Sequence, residues 1–306
     1  MKGSVPNTVP WAGALLAVLF AATSHAQTLR ASPSAGDHAH ATRGALPVED
    51  RRLSIRVNGS NYSLAARVFH PAGVGPFPLV VINHGATVSQ REMRALTLDD
   101  TYTEAAQWFA GQGYVVVVAL RPGVGTSQGP YLETTRPCAR RDYIDEGRTT
   151  AAVEAAIVRS AATLPGVDPK RIVVVGHSAG GFGGTALADQ PPPGVLGVIS
   201  FAGGRGGDGH EHICGGQDRL VQAAGVFGRA NTLPGLWLYA ANDHFFPPPV
   251  AHAMFQAYRS GSRPTMTFVD LPAFGDEGHF TFGQADPSVW AEPVSTFLRQ
   301  IGAARP

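Results

Sequence analysis

Residues 176–180 read Gly-His-Ser-Ala-Gly, a G-x-S-x-G pentapeptide, and their surroundings restrict the fold more than any other stretch of the chain. An apolar β-branched run, Arg171-Ile-Val-Val-Val175, leads in, and small residues that can open a helix lead out. A serine between a strand and a helix sits on a sharp turn, where a Cβ on either neighbouring glycine would collide with the backbone. Such a turn lifts a hydroxyl clear of a sheet edge, so Ser178 is the candidate nucleophile. The alternative is a Gly-rich turn whose serine only caps the helix.

The segments around this turn alternate between two periods. Leu53–Val57 and Tyr62–Phe69, joined by a turn beginning Asn58-Gly59, predict a hairpin. Pro78–Asn83, Tyr114–Leu120, Arg171–Val175, Val195–Phe201, Leu236–Ala240 and Thr265–Leu271 predict further strands, several apolar enough to be buried on both faces. Helical patterns fall between them at Thr103–Gln112, Tyr143 to about Thr163 and Gly180 to about Asp189. A last helix is expected over Pro287–Ile301, with Asp286 as its N-cap. This order implies an α/β domain over residues 49–306, with a mostly parallel sheet covered by helices on both faces. The connection from about 203 to 233 is long enough to form a small cap over the site, with a helical piece at Arg219–Val226.

A serine hydroxyl is a weak nucleophile at neutral pH and needs a base, which in turn needs an orienting acid. On such an elbow the chain order is serine, acid, histidine. Asp243 leaves the strand Leu236–Ala240, with Asp208 as its main rival. His279 follows the last strand on a Gly-flanked loop, with His244 and His252 as poorer candidates. The oxyanion would be held by the Ala179 amide and by that of Ala86, in the Asn83-His-Gly-Ala86 loop, where His84 braces the turn. His177 reads as a packing or local hydrogen-bonding residue. Phe245, Phe246, Phe274 and Phe280 lie near enough in sequence to suggest an apolar pocket.

Other chemistries fare worse. A net charge of +1 and the lack of a basic cluster denser than Ala139-Arg-Arg141 argue against nucleic acid as a partner. Arg121-Pro-Gly-Val-Gly-Thr-Ser-Gln-Gly129 lacks the lysine of a phosphate loop and reads as a loop near the pocket mouth. His210-Glu211-His212 has no third ligand at metal-like spacing, so neither metal nor cofactor is expected.

Lys2, the apolar run Trp11–Ala22 and Ser24-His-Ala26 resemble an export signal, cleaved after residue 26 and leaving no membrane anchor. Residues 27–48 read as a flexible leader in which His38 and His40 occur by chance. Periplasmic or secreted location follows, and in that compartment the two cysteines, Cys138 and Cys214, suggest a disulfide.

Together, Asn83–Ala86, Arg121–Ser127, Gly176–Gly180, Asn242-Asp243 and Gly278-His279 resemble the α/β-hydrolase superfamily, most closely its dienelactone-hydrolase-like serine esterases and lipases. The resemblance spans roughly residues 50 to 304. It implies an eight-stranded sheet and a Ser178–His279–Asp243 triad that cleaves a small-molecule carboxylic ester through an acyl-enzyme. Dienelactone hydrolases proper use cysteine as nucleophile, so serine here favours ordinary esters. A serine peptidase of the same fold is the alternative, and a non-catalytic binding protein a more distant one.

Overall fold

A computed structural model describes residues 46–304 apart from 88, 100, 101, 134 and 135. The expected export signal and residues 27–45 of the expected leader lie outside the described residues.

The hairpin forms as the sequence predicts, though its strands are longer. β1 (Val48–Val57) and β2 (Ser60–Phe69) pair antiparallel in register from Val48↔Phe69 to Val57↔Ser60. Asn58 and Gly59 both take positive φ, 49° and 81°, as a two-residue turn of this hand requires. β3 (Phe77–Asn83) follows, then helices α1 (Gln90–Ala95) and α2 (Thr103–Gly111) and strand β4 (Val115–Ala119). Helix α3 (Tyr143–Ala161) precedes β5 (Val167–His177), and α4 (Ala179–Leu187) leads to β6 (Val195–Phe201). The remainder is α5 (Gln217–Ala230), β7 (Gly235–Ala240), α6 (Pro248–Gly261), β8 (Met266–Leu271), the single turn α7 (Thr281–Gln284) and α8 (Ala291–Gln300).

The eight strands form one sheet in the order β1-β2-β4-β3-β5-β6-β7-β8. β3 to β8 are parallel, and the antiparallel pairs are β1·β2 and β2·β4, so β2 alone runs against the rest. Period-two alternation sends each central strand into both cores. Leu79, Val81, Val115, Val117, Ile172 and Val174 face α3 to α6. Val80, Ile82, Val116, Val118, Val173 and Val175 face α2 and α8.

Three local departures have clear causes. Helix α1 has no apolar period long enough to signal it, but Ser89 caps it by accepting from the Glu92 amide at 3.2 Å, half of an S-x-x-E box. The final helix comes in two pieces: Asp286 caps a 3₁₀ turn, Pro287–Val289, and α8 starts only after Trp290. Trp290 is fully buried against Phe201, Phe282 and Trp108, and that packing decides the break. Of the expected cap, the loop 203–216 borders the site, whereas Leu220, Ala223 and Ala224 of α5 join the main core. A disulfide joins Cys138 to Cys214 and so ties that loop to the 3₁₀ turn Cys138–Arg140. Among the described residues no helix is long and apolar enough to cross a membrane.

Candidate active site

β5 ends at His177, α4 begins at Ala179, and Ser178 between them has φ 53° and ψ −119°. A non-glycine residue in that region is strained, and it persists only where surrounding bonds over-determine it. Here the Ser178 amide donates to the Phe201 carbonyl at 3.0 Å, and the Ser178 carbonyl accepts from Phe182 and Gly204 at 2.9 and 3.1 Å. A Cβ on Gly176 would fall on the Gly180 carbonyl, and one on Gly180 would fall on the backbone of Asn83. Only the G-x-S-x-G pattern closes this turn.

Asp243 leaves β7 and His279 follows β8, and the two meet at 3.1 Å between Asp243 Oδ2 and His279 Nδ1, both buried. A carboxylate only accepts, so Nδ1 carries the proton and Nε2 keeps a free lone pair, the arrangement a general base needs. Asp243 Oδ1 accepts from the Phe245 and Phe246 amides at 2.9 and 2.8 Å, which locks the carboxylate. Asp208 binds elsewhere, taking the His210 amide at 2.9 Å and pairing with His212. His244 pairs with Glu277 and His252 with Asp270, and neither lines the cavity that Ser178 and His279 share. Among the described residues, no three metal-ligating side chains converge.

Glu277 has no motif to announce it. Its Oε1 accepts from the His279 amide at 2.9 Å and from the His244 amide at 3.1 Å, joining the two loops that carry Asp243 and His279. Phe245 stacks on the His279 ring at 4.3 Å between centroids, with Phe246 and Phe280 also against it.

On the far side of the elbow, Asn83–Ala86 ends β3. His84 does brace it, as expected: its Nε2 accepts from the Arg121 amide at 3.0 Å. Arg121, fully buried, donates to the carbonyls of His84 and Gly85. This ties down the loop holding Ala86. Arg121 and Arg205 both pair with Glu133, which is buried with them, and Thr150 joins the cluster. Burial opposes ionisation of Glu133, but the two guanidiniums override it and hold its carboxyl down to about 2. Burial, helped by the Arg121 charge, pulls His84 down to about 3 and keeps it neutral. Neither Glu133 nor Arg205 was legible in the sequence, because 72 residues separate them and no spacing rule connects them.

Ser178, His279, Ala86 and Ala179 open onto one cavity of about 850 Å³, with Phe245, Phe246, Phe280 and Met93 in its wall. Ala179 is the first residue of α4, so its amide is free of the helix ladder and lies at the positive end of the helix dipole. Phe274 is not in the cavity wall; its amide instead binds Asn242 Oδ1 at 2.9 Å.

The sequence profile of the X-Pro dipeptidyl-peptidase (S15) family matches residues 59–244, more than half of the chain. The chain belongs to the S15 family. No curated protein matches it. A solved Klebsiella pneumoniae protein assigned to the dienelactone hydrolases is 17% identical, with a TM-score of 0.55 over 84% of this chain and 99% of its own. The Pyrococcus furiosus esterase Pf2001 is 15% identical, with a TM-score of 0.58 over 83% and 91%. The Pyrococcus horikoshii acylaminoacyl peptidase is 13% identical, with a TM-score of 0.56 over 85% of this chain but 42% of the peptidase. Likeness at these identities speaks for the fold alone, and the fold is the α/β-hydrolase fold that the motifs implied. Family and fold together make this S15 member a serine hydrolase.

Proposed function

We propose that this protein is an exported esterase that cleaves small carboxylic esters through an acyl-enzyme on Ser178, His279 and Asp243. The observation that carries the reading is the buried Asp243–His279 bond, which leaves Nε2 bare on the cavity that Ser178 also lines. His279 takes the Ser178 proton as the hydroxyl oxygen attacks the ester carbonyl. The Ala179 and Ala86 amides receive the oxyanion. Collapse expels the alcohol, which takes the proton from His279. Water, deprotonated by the same histidine, then releases the acid and restores the serine. The apolar wall of Phe245, Phe246, Phe280 and Met93 suits an uncharged acyl or alcohol group. The disulfide and the signal-like N-terminus support export.

The S15 match favours a second reading, removal of an X-Pro dipeptide. That substrate presents a free ammonium, for which Glu92 and Asp208 in the cavity wall are the available carboxylates.

Initial rates on p-nitrophenyl esters from acetate to palmitate, set beside glycyl-prolyl p-nitroanilide, separate the two. Ester turnover that disappears in Ser178→Ala is the expected result. Turnover of the anilide alone would replace the esterase reading with the peptidase one.

A further inference from the structure

His177 stands one residue before the candidate nucleophile, and the proposed triad does not use it. Its ring is buried, and each nitrogen has a partner on a different loop. Nε2 lies 2.7 Å from the His279 carbonyl oxygen, and Nδ1 lies 2.8 Å from the Tyr102 hydroxyl. Tyr102 Oη in turn lies 3.2 Å from the Gly85 amide nitrogen.

The two ends of this series fix its direction. A carbonyl oxygen only accepts, so the His177 proton sits on Nε2 and Nδ1 is an acceptor. The phenol must therefore donate to Nδ1, which leaves its oxygen to accept the Gly85 N–H. Every group has one role: Gly85 N–H to Tyr102 Oη, Tyr102 O–H to His177 Nδ1, and His177 Nε2–H to the His279 carbonyl. A second proton, on His177 Nδ1, would meet the proton that the phenol donates there, and the Tyr102 O–H would have to turn away. Burial, reinforced by the neighbouring His279, opposes that proton and draws the ring down to about 3.

The chain begins on the loop of Ala86 and ends on the backbone of His279. Its middle is fixed by the elbow, because β5 carries His177 in register with Phe201. Gly85 comes so close that a Cβ there would stand 3.0 Å from the Ser178 Cβ and 3.4 Å from His177 Nδ1. The phenol occupies the Gly85 amide and leaves the next one, on Ala86, to serve the cavity. Packing supports the tyrosine: its ring lies 5.2 Å from Phe282 and 5.7 Å from the His177 imidazole.

We propose that Tyr102 and His177 are positioning residues that hold the second oxyanion donor and the general base in one geometry about Ser178. The inference rests on the reading of Ser178 as nucleophile, and the test separates the two. A fluorophosphonate transfers its phosphonyl group to an activated serine oxygen and loses fluoride, whichever substrate class the enzyme prefers. Intact mass then gives the labelling rate. If Ser178→Ala is still labelled, the nucleophile assignment falls.

With that assignment standing, Tyr102→Phe, which keeps the ring packing, should label about tenfold more slowly. The loss should fall on the maximal rate and not on the probe concentration giving half of it. His177→Gln keeps a donor toward the His279 carbonyl and loses the acceptor at Nδ1, so it should be impaired to a similar degree. Because the groups act in series, the double variant should be no slower than the slower single one. Wild-type rates in both single variants, or losses that multiply in the double one, would overturn the proposal. Long-range ¹H–¹⁵N correlation on the wild-type protein provides a reading independent of any variant's folding. A neutral Nε2–H tautomer for His177 between about pH 5.5 and 8.5 is expected. An Nδ1–H tautomer or an imidazolium would refute the chain.

Discussion

The loop that ends β3 and the loops that leave β7 and β8 reach Ser178 from opposite sides of β5, and they are held by different forces. On the β3 side, the backbone of His84 and Gly85 hangs on Arg121, whose charge is balanced by a buried Glu133 shared with Arg205. On the β7/β8 side, Asp243 and Glu277 collect backbone amides at 2.8 to 3.1 Å, and Phe245 lies flat on His279. Buried charge gives stiffness at the cost of desolvation, so removing one member leaves its partners stranded. Losing one amide-to-carboxylate bond strands a single backbone N–H, and losing the stacked ring removes one apolar contact, so each change on this side stays local. The first side should therefore break in stability, the second in rate.

Asp243→Asn tests the second half of that contrast and should have the largest effect on rate. Asn Oδ1 can still accept the Phe245 and Phe246 amides, so the fold should hold. The amide nitrogen now facing His279 Nδ1 is a donor, which forces the wrong tautomer and lowers kcat by about 10⁴. Ester kinetics alongside a melting curve check both parts. A large fall in melting midpoint with modest loss of rate would reverse the contrast.

Glu133→Gln tests the first half and should cost about 3–5 kcal/mol of stability, read from denaturant unfolding. The pH dependence carries a sign. A carboxyl held at about 2 in the folded state and near 4.5 unfolded stabilises fully above 4.5 and loses that contribution as pH falls toward 2. The wild type should weaken across that window, and the variant should lack this part of the slope. Parallel slopes would mean that Glu133 is not held ionised by its arginines.

Phe245→Leu should have the smallest effect. It keeps an apolar wall but removes the ring face from the His279 imidazolium of the proposed mechanism, a contact worth about 0.5–1 kcal/mol. A two- to fivefold loss in kcat, with stability nearly unchanged, would fit a side held by small independent contacts. A loss as large as that of Asp243→Asn would show those contacts to be cooperative.

Glu154 offers a further view of the charged side. It is fully buried on α3, both carboxylate oxygens lack a hydrogen-bond partner among the described residues, and burial pushes its carboxyl well above the usual range despite Arg121 nearby. The cluster thus keeps one ionised carboxylate, Glu133, in bonding contact with two guanidiniums, while Glu154 is driven toward its neutral form. Helix α3 carries Glu154 against the close-packed glycines of α4, so this arrangement sits directly behind the elbow.

The sequence alone determined the features that depend on neighbours in the chain. Alternating β-branched runs required strands buried on both faces, Asn58-Gly59 required a hairpin turn, and Gly176–Gly180 required a strand-to-helix elbow. Asp243 and His279 were legible as candidates because each lies on the loop after a strand whose apolar pattern is plain, and strand ends are where loops converge. The pairing of Asp243 with His279 over Asp208, the break in the last helix at Trp290, the Arg121–Glu133–Arg205 cluster and the series from Gly85 to His279 were settled only by tertiary structure. Each depends on a distance between residues far apart in the chain, set by sheet order and side-chain packing. Spacing along a sequence carries no record of such distances.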